Sequence, residues 1–246
     1  MTTSIENLKI KIFADGADLN GMLEMYKKPY IQGLTTNPTL MRKAGVVNYK
    51  EFALEVLSHV VDKPISFEVF SDDLIEMQKQ ALEISSWGDN VYVKVPITNT
   101  KGESTKRVVR DLVEKGIKVN VTAIFTPEQV RDVVEELDPS VSSYISVFAG
   151  RIADTGRDPI ALMCKSLELM SDCASAELIW ASPRELLNVF QAAEIGCHII
   201  TATSDILNKF SIVGRDLTDY SLETVNMFHS DALSAGFSIH SDLLDE

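Results

Sequence analysis

The sequence predicts an α/β protein, a closed (β/α)₈ barrel of the TIM type with a C-terminal helical extension. Three observations point there. Eight short β-branched, apolar runs alternate with segments of helical spacing, at a period of roughly 25 residues. The 246 residues match the roughly 250 that such a barrel fills as one domain. The first strand runs into ADGADL rather than the GxGxxG loop expected of an open dinucleotide-binding sheet.

The elements follow in order. KIKIFAD (9–15) reads as a strand, with a short helix from Leu19, and YIQGL (30–34) as the next strand. A helix over 49–60 precedes the strand PISFEVF (64–70), and a helix over 74–87 precedes NVYVKVP (90–96). A helix near 104–115 leads to KVNVTAIF (118–125), and the helix over 127–137 carries Pro127 in its first turn. SYISVF (143–148), a helix near 158–172, ELIWAS (177–182), a helix over 183–195 and CHIITAT (197–203) complete the alternation. Leu222, Val225, Met227, Phe228 and Leu233 give 219–236 helical spacing, which suits covering the barrel or reaching a second copy in a homo-oligomer. No linker or composition break divides the chain, so 1–246 reads as a single domain.

Composition narrows the partners. With 36 acidic and 23 basic residues the net charge is -13, which argues against a broad nucleic-acid surface. It leaves room for a small anionic ligand held by a few arginines. No stretch is apolar enough to span a membrane, and the N-terminus lacks a secretory layout. Cys164, Cys173 and Cys197 show no zinc spacing, and so sparse a count fits a reducing cytoplasm.

Strand alternation singles out the chemistry. In VYVKV, Val91, Val93 and Val95 face the helices, so Tyr92 and Lys94 face the lumen. An amine withdrawn from water favours its neutral form, a nucleophile able to form a Schiff base with a carbonyl. The same alternation turns Ser66, Glu68 and Phe70 inward, together with Asn120 and Thr122, Ser146 and Phe148, and Phe13 and Asp15. Asn37 follows the second strand in GLTTNPTL, Arg151 follows the sixth in FAGRIAD, and Ser182 and Arg184 follow the seventh in ASPRE. Each has a plainer alternative: a turn cap for Asp15, a salt bridge between Glu68 and Lys94, a loop signal for Asn37-Pro38, surface arginines. Together they fall at C-terminal strand ends, the catalytic face of such barrels, where unsatisfied polar groups are costly.

The set is chemically coherent. Lys94 attacks a ketone. Glu68, through water placed by Thr122, serves the proton transfers of dehydration, and Asp15 takes the hydroxyl proton that triggers carbon–carbon cleavage. Arg151 and Arg184 suit a phosphate monoester, and Asn37, Asn120 and Ser146 suit sugar hydroxyls. No metal or organic cofactor is called for, because the lysine is the electron sink.

These stretches, above all TTNP, KVP and FAGRIAD, resemble the transaldolase family in its small, fructose-6-phosphate-aldolase-like size class, across nearly the whole chain. The resemblance implies a Schiff-base lysine at Lys94, the cleavage acid/base at Asp15, the water-activating glutamate at Glu68 and its helper at Thr122. It also implies substrate ligands at Asn37, Asn120 and Ser146, and phosphate-side residues at Arg151 and Arg184. Phe148 and Ser182 complete the candidate substrate-binding set. The aldolase branch tends to carry Gln, Tyr and Ala where this chain has Glu68, Phe148 and Ser146, which implies transfer of a dihydroxyacetone unit between sugar phosphates, as in the pentose phosphate pathway, rather than its release. The alternatives are a true aldolase and a non-catalytic sugar-phosphate-binding barrel. One departure is Gly16, where the family's first-strand motif usually has threonine.

Overall fold

In the computed structural model, residues 8–239 are described. Eight parallel strands close in chain order: β1 (Lys11–Asp15), β2 (Ile31–Thr35), β3 (Ile65–Glu68), β4 (Val91–Pro96), β5 (Val119–Ile124), β6 (Ser143–Val147), β7 (Ala176–Trp180) and β8 (Ile199–Thr203), with β8 pairing back onto β1. The connecting helices are α1 (Leu19–Tyr26), α2 (Pro38–Lys43), α3 (Tyr49–His59), α4 (Leu74–Ser85), α5 (Lys106–Val113), α6 (Pro127–Val134), α7 (Ala149–Ala153), α8 (Ile160–Leu169), α9 (Leu187–Glu194) and α10 (Ser204–Leu207). This is the expected barrel.

Helix starts follow their capping residues. Asp18, Asn37, Asn48 and Asp73 accept from backbone amides at the starts of α1, α2, α3 and α4, and Thr126 with Gln129 forms a reciprocal capping box before α6. Two short helices were not expected from the spacing. α2 and α7 span only six and five residues, too few to show a period. Both begin just after a strand's C-terminal end, where they hold Asn37 and Arg151.

The lumen is divided. Its lower half is a plug of Phe13, Tyr92, Tyr144, Ile179 and Ile199, with the Tyr92 and Tyr144 rings stacked at 4.0 Å. Gly33 exists for this plug, since a Cβ there would lie 2.5 Å from the Phe13 ring. Because the lower half is filled, the polar residues of the upper half meet at the C-terminal end. One inward assignment is overturned. β3 ends at Glu68, so alternation does not carry on to Phe70, whose exposed ring leans on Tyr49 at 4.6 Å.

Leu8–Phe210 form one compact unit, and the segment from Ser211 belongs to a second. In that second unit α11 (Leu217–Ser234) matches the expected C-terminal helix, shifted two residues toward the N-terminus. Asp216 caps it, Arg215 pairs with Glu223, and Leu222, Val225, Phe228 and Leu233 are exposed. The expected domain over 1–246 runs past the described residues at both ends. Among the described residues no helix is long and apolar enough to cross a membrane.

Candidate active site

Parallel register builds the site. Glu68 on β3, Lys94 on β4 and Asn120 on β5 are successive register partners, so their side chains enter the lumen at one level. They line a cavity of about 340 Å³ with Asp15, Asn37, Thr122, Ser146, Phe148, Arg151 and Ser182. Ten of the eleven residues expected from the sequence thus share one cavity.

Lys94 is buried, at 7% exposure. Its Nζ donates to the Thr36 carbonyl at 2.8 Å and lies 3.2 Å from Glu68 Oε2. The plainer reading of a Lys94–Glu68 ion pair is therefore present, inside the cavity. Glu68 is itself held by its backbone: its N–H donates to the Tyr49 hydroxyl at 2.8 Å, and that hydroxyl donates to its carbonyl at 3.1 Å. Burial pushes the Tyr49 phenol well above its ordinary value, so it keeps its proton.

Asp15 is gripped on both oxygens. Thr35 Oγ1 donates to Oδ1 at 2.8 Å and Asn37 Nδ2 donates to Oδ2 at 3.1 Å. Asn37 also accepts from the Leu40 amide at 2.9 Å, so it is both helix cap and site residue. Burial raises the Asp15 pKa above 3.8; Lys94 and the donors Thr35 and Asn37 oppose the shift, and Glu68 adds to it. On the opposite wall Ser146 Oγ donates to Asn120 Oδ1 at 2.7 Å, and Asn120 Nδ2 donates to Ser66 Oγ at 3.0 Å. Thr122 Oγ1 is buried with no partner among the described residues and faces this cavity.

The only two non-glycine residues with positive φ among those described, Ala123 and Ser182, both line the cavity. Ala123 sits where β5 shifts register against β6. Ser182 turns its carbonyl toward Gly150, where a Cβ would lie 1.6 Å from that oxygen; only glycine lets α7 seat against the end of β7.

The two arginines part company. Arg151 lines the cavity, its guanidinium 5.4 Å from the Phe148 ring centroid. Arg184 does not line it. Its Nε donates to Asp154 Oδ1 at 2.9 Å and its Nη2 pairs with Oδ2, at the exposed rim. Strand alternation does not reach this residue, because its side chain belongs to a loop.

Sequence reading missed Thr35, Thr201 and Tyr49. Thr35 was legible within TTNP. Thr201 lies inward on β8, two residues from Ile199 in the plug, so alternation carried that signal too. Tyr49 acts from a helix start, which no strand pattern indicates. Gly16 is outside the left-handed region, and a Cβ there would meet only Met22 Cγ, at 3.4 Å. A hollow of about 370 Å³ beside it is lined by Met22, Met25 and Leu40 among others. Among the described residues no cluster of three His, Cys, Asp or Glu could hold a metal ion.

Residues 12–239 match the family described as Transaldolase/Fructose-6-phosphate aldolase. The chain is 36% identical over 211 residues to a "Probable transaldolase" of Pelotomaculum thermopropionicum, covering 85% of this chain and 93% of the relative. It is 34% identical over 231 residues to a "Probable transaldolase" of Thermoanaerobacter sp., covering 94% of this chain and all of the relative, 100%. A solved structure described as "QR15, an Aldolase" superposes with a TM-score of 0.52 at 13% identity, over 84% of this chain and 99% of that one, a likeness of fold alone. With a family match over nearly the whole barrel and relatives matched almost end to end, the chain belongs to the transaldolase/fructose-6-phosphate aldolase family.

Proposed function

We propose that this aldol-transfer enzyme is a Schiff-base transaldolase, moving a dihydroxyacetone unit from a ketose phosphate to an aldose phosphate. The observation that carries the reading is the buried Lys94 amine, with Glu68 at 3.2 Å and Asp15 in the same cavity.

Glu68 takes a proton from the Lys94 ammonium, and the freed amine adds to the donor's C2 carbonyl. The carbinolamine loses water; Glu68 exchanges the protons through a water molecule held by the Thr122 hydroxyl. Asp15 then accepts the C4 hydroxyl proton. The C3–C4 bond breaks, the aldose phosphate leaves, and the bonding pair becomes the enamine on Lys94. Attack of the enamine on a second aldose phosphate, followed by hydrolysis, returns the amine. Asn37, Asn120 and Ser146 are suited to orient hydroxyls, and Arg151 to bind the phosphate with a charge-assisted hydrogen bond. Arg184 joins it only by exchanging Asp154 for the substrate.

Transfer is favoured over release by Phe148. Its ring offers no hydroxyl to protonate the enamine, so the enamine persists until an aldehyde arrives. Donor turnover that requires an aldose phosphate supports transfer; equal turnover without acceptor, with free dihydroxyacetone formed, supports an aldolase instead. The exposed apolar residues of α11 support self-association through that helix, which light scattering of the full chain tests.

Borohydride reduction in the presence of fructose 6-phosphate or sedoheptulose 7-phosphate tests the chemistry. A covalent adduct on the wild-type chain, absent from Lys94→Ala, is expected. If neither donor gives an adduct, the Schiff-base reading fails.

A further inference from the structure

We propose that Thr201 is a positioning residue for Asp15, acting through the Thr35 hydroxyl. This rests on the reading of Asp15 as the cleavage base. Thr201 stands on β8 and Thr35 on β2, on either side of β1, which carries Asp15. The two threonine oxygens are 2.6 Å apart, and Thr35 Oγ1 is 2.8 Å from Asp15 Oδ1. Either threonine could donate in the first contact. The carboxylate decides which one does.

A threonine hydroxyl has one proton. An ionised carboxylate only accepts, so Thr35 must spend its proton on Asp15. Thr35 can then only accept from Thr201, and the chain runs Thr201 to Thr35 to Asp15. Each donor in such a chain polarises the next and strengthens the bond to the carboxylate. Asn37 fixes the other oxygen. The carboxylate is thus held in one orientation, with its remaining lone pairs left for the substrate hydroxyl.

Burial makes the alternative expensive. Thr201 is 6% exposed and Thr35 3%. Valine has nearly the same shape and equal aptitude for a strand, and it would need no partner there. Among the described residues, the hydroxyl-to-hydroxyl contact with Thr35 is the hydrogen bond of the Thr201 side chain, so its use is tied to what Thr35 does. The charged groups facing Asp15 are Lys94 from β4 and Glu68 from β3; the hydrogen bonds of Lys94 go to Thr36 and Glu68 and not to Thr201, so a change at Thr201 reaches Asp15 through Thr35.

The test is the carboxyl titration of Asp15, followed by carbon NMR in the full-length chain, with the resonance assigned by its loss in Asp15→Asn. Thr201→Val should move the midpoint upward, because the carboxylate loses support, and Thr201→Ser should restore it. Cleavage should slow roughly 2- to 10-fold in Thr201→Val, the weight of one hydrogen bond, while the amount of borohydride-trapped imine stays the same. Should the valine variant not fold, Thr201→Ala gives the same readout. A wild-type midpoint in the hydroxyl-free variant, or failure of serine to restore it, overturns the proposal. The titration needs no turnover. An upward shift in a protein that traps no adduct would therefore overturn the catalytic reading while leaving the hydrogen-bond chain established.

Discussion

Glu68 and Lys94 are register partners on adjacent parallel strands, and their charged ends meet 3.2 Å apart inside the lumen. The pairing follows from strand register, because parallel neighbours at one level point the same way. If Glu68 manages the lysine's protons, Glu68→Gln should slow imine formation by roughly 10²- to 10⁴-fold. Rapid-quench borohydride trapping reads that rate directly. An imine that forms at the wild-type rate excludes the role.

Asp15 should show itself in pH dependence. Its pKa lies above 3.8 because it is buried, so the folded chain binds this proton more tightly than the unfolded chain does. The stability linked to that proton is complete below the unfolded value and is lost as pH rises through the folded one. The stability of Asp15→Asn relative to wild type should therefore improve as pH rises from about 4, as measured by urea unfolding. The cleavage rate should fall on acidification through the same raised value. A stability difference that does not vary with pH contradicts this.

Arg151 and Arg184 should differ in weight. Arg151 lines the cavity, while Arg184 is held by Asp154 at the rim. Arg151→Ala should raise the KM for a phosphorylated donor by roughly 10- to 100-fold, the weight of a charge-assisted hydrogen bond. Arg184→Ala should do much less. Equal losses would mean that Arg184 leaves Asp154 to share the phosphate.

Gly150 tests whether the strained corner at Ser182 is structural. With a Cβ 1.6 Å from the Ser182 carbonyl, Gly150→Ala must displace either α7 or the β7 end. A loss of at least about 1–3 kcal/mol is expected, together with weaker donor binding, because Arg151 rides on the same short helix. Wild-type stability would mean that the backbone relaxes freely there.

Tyr49 brackets the backbone of Glu68 with one hydroxyl. Tyr49→Phe keeps the ring but leaves the Glu68 amide without that acceptor, at a cost of about 1–3 kcal/mol. Thermal unfolding measures the loss, and slower imine formation would report that Glu68 has shifted.

Much of this is legible in the amino-acid sequence. Period-two alternation in VYVKV puts Lys94 inside, because a side chain's face depends only on local backbone geometry, and eight strand–helix units at regular spacing match the length of one closed barrel. The same rule failed at Phe70, where the strand had already ended, and could not reach Arg184, which sits in a loop.

The sequence by itself determined the barrel, the inward placement of Asp15, Glu68, Lys94, Asn120, Thr122 and Ser146, and the family, since these are written in local pattern and motif. Only the tertiary structure decided which inward residues meet. Register aligned Glu68 with Lys94, and the aromatic plug of Phe13, Tyr92 and Tyr144 confined the polar groups to one end. Closure brought β8 beside β1 and so set Thr201 within reach of Thr35. It also gave Arg184 to Asp154 rather than to the cavity. Pairing of this kind depends on distances between residues far apart in the chain, which no local period encodes.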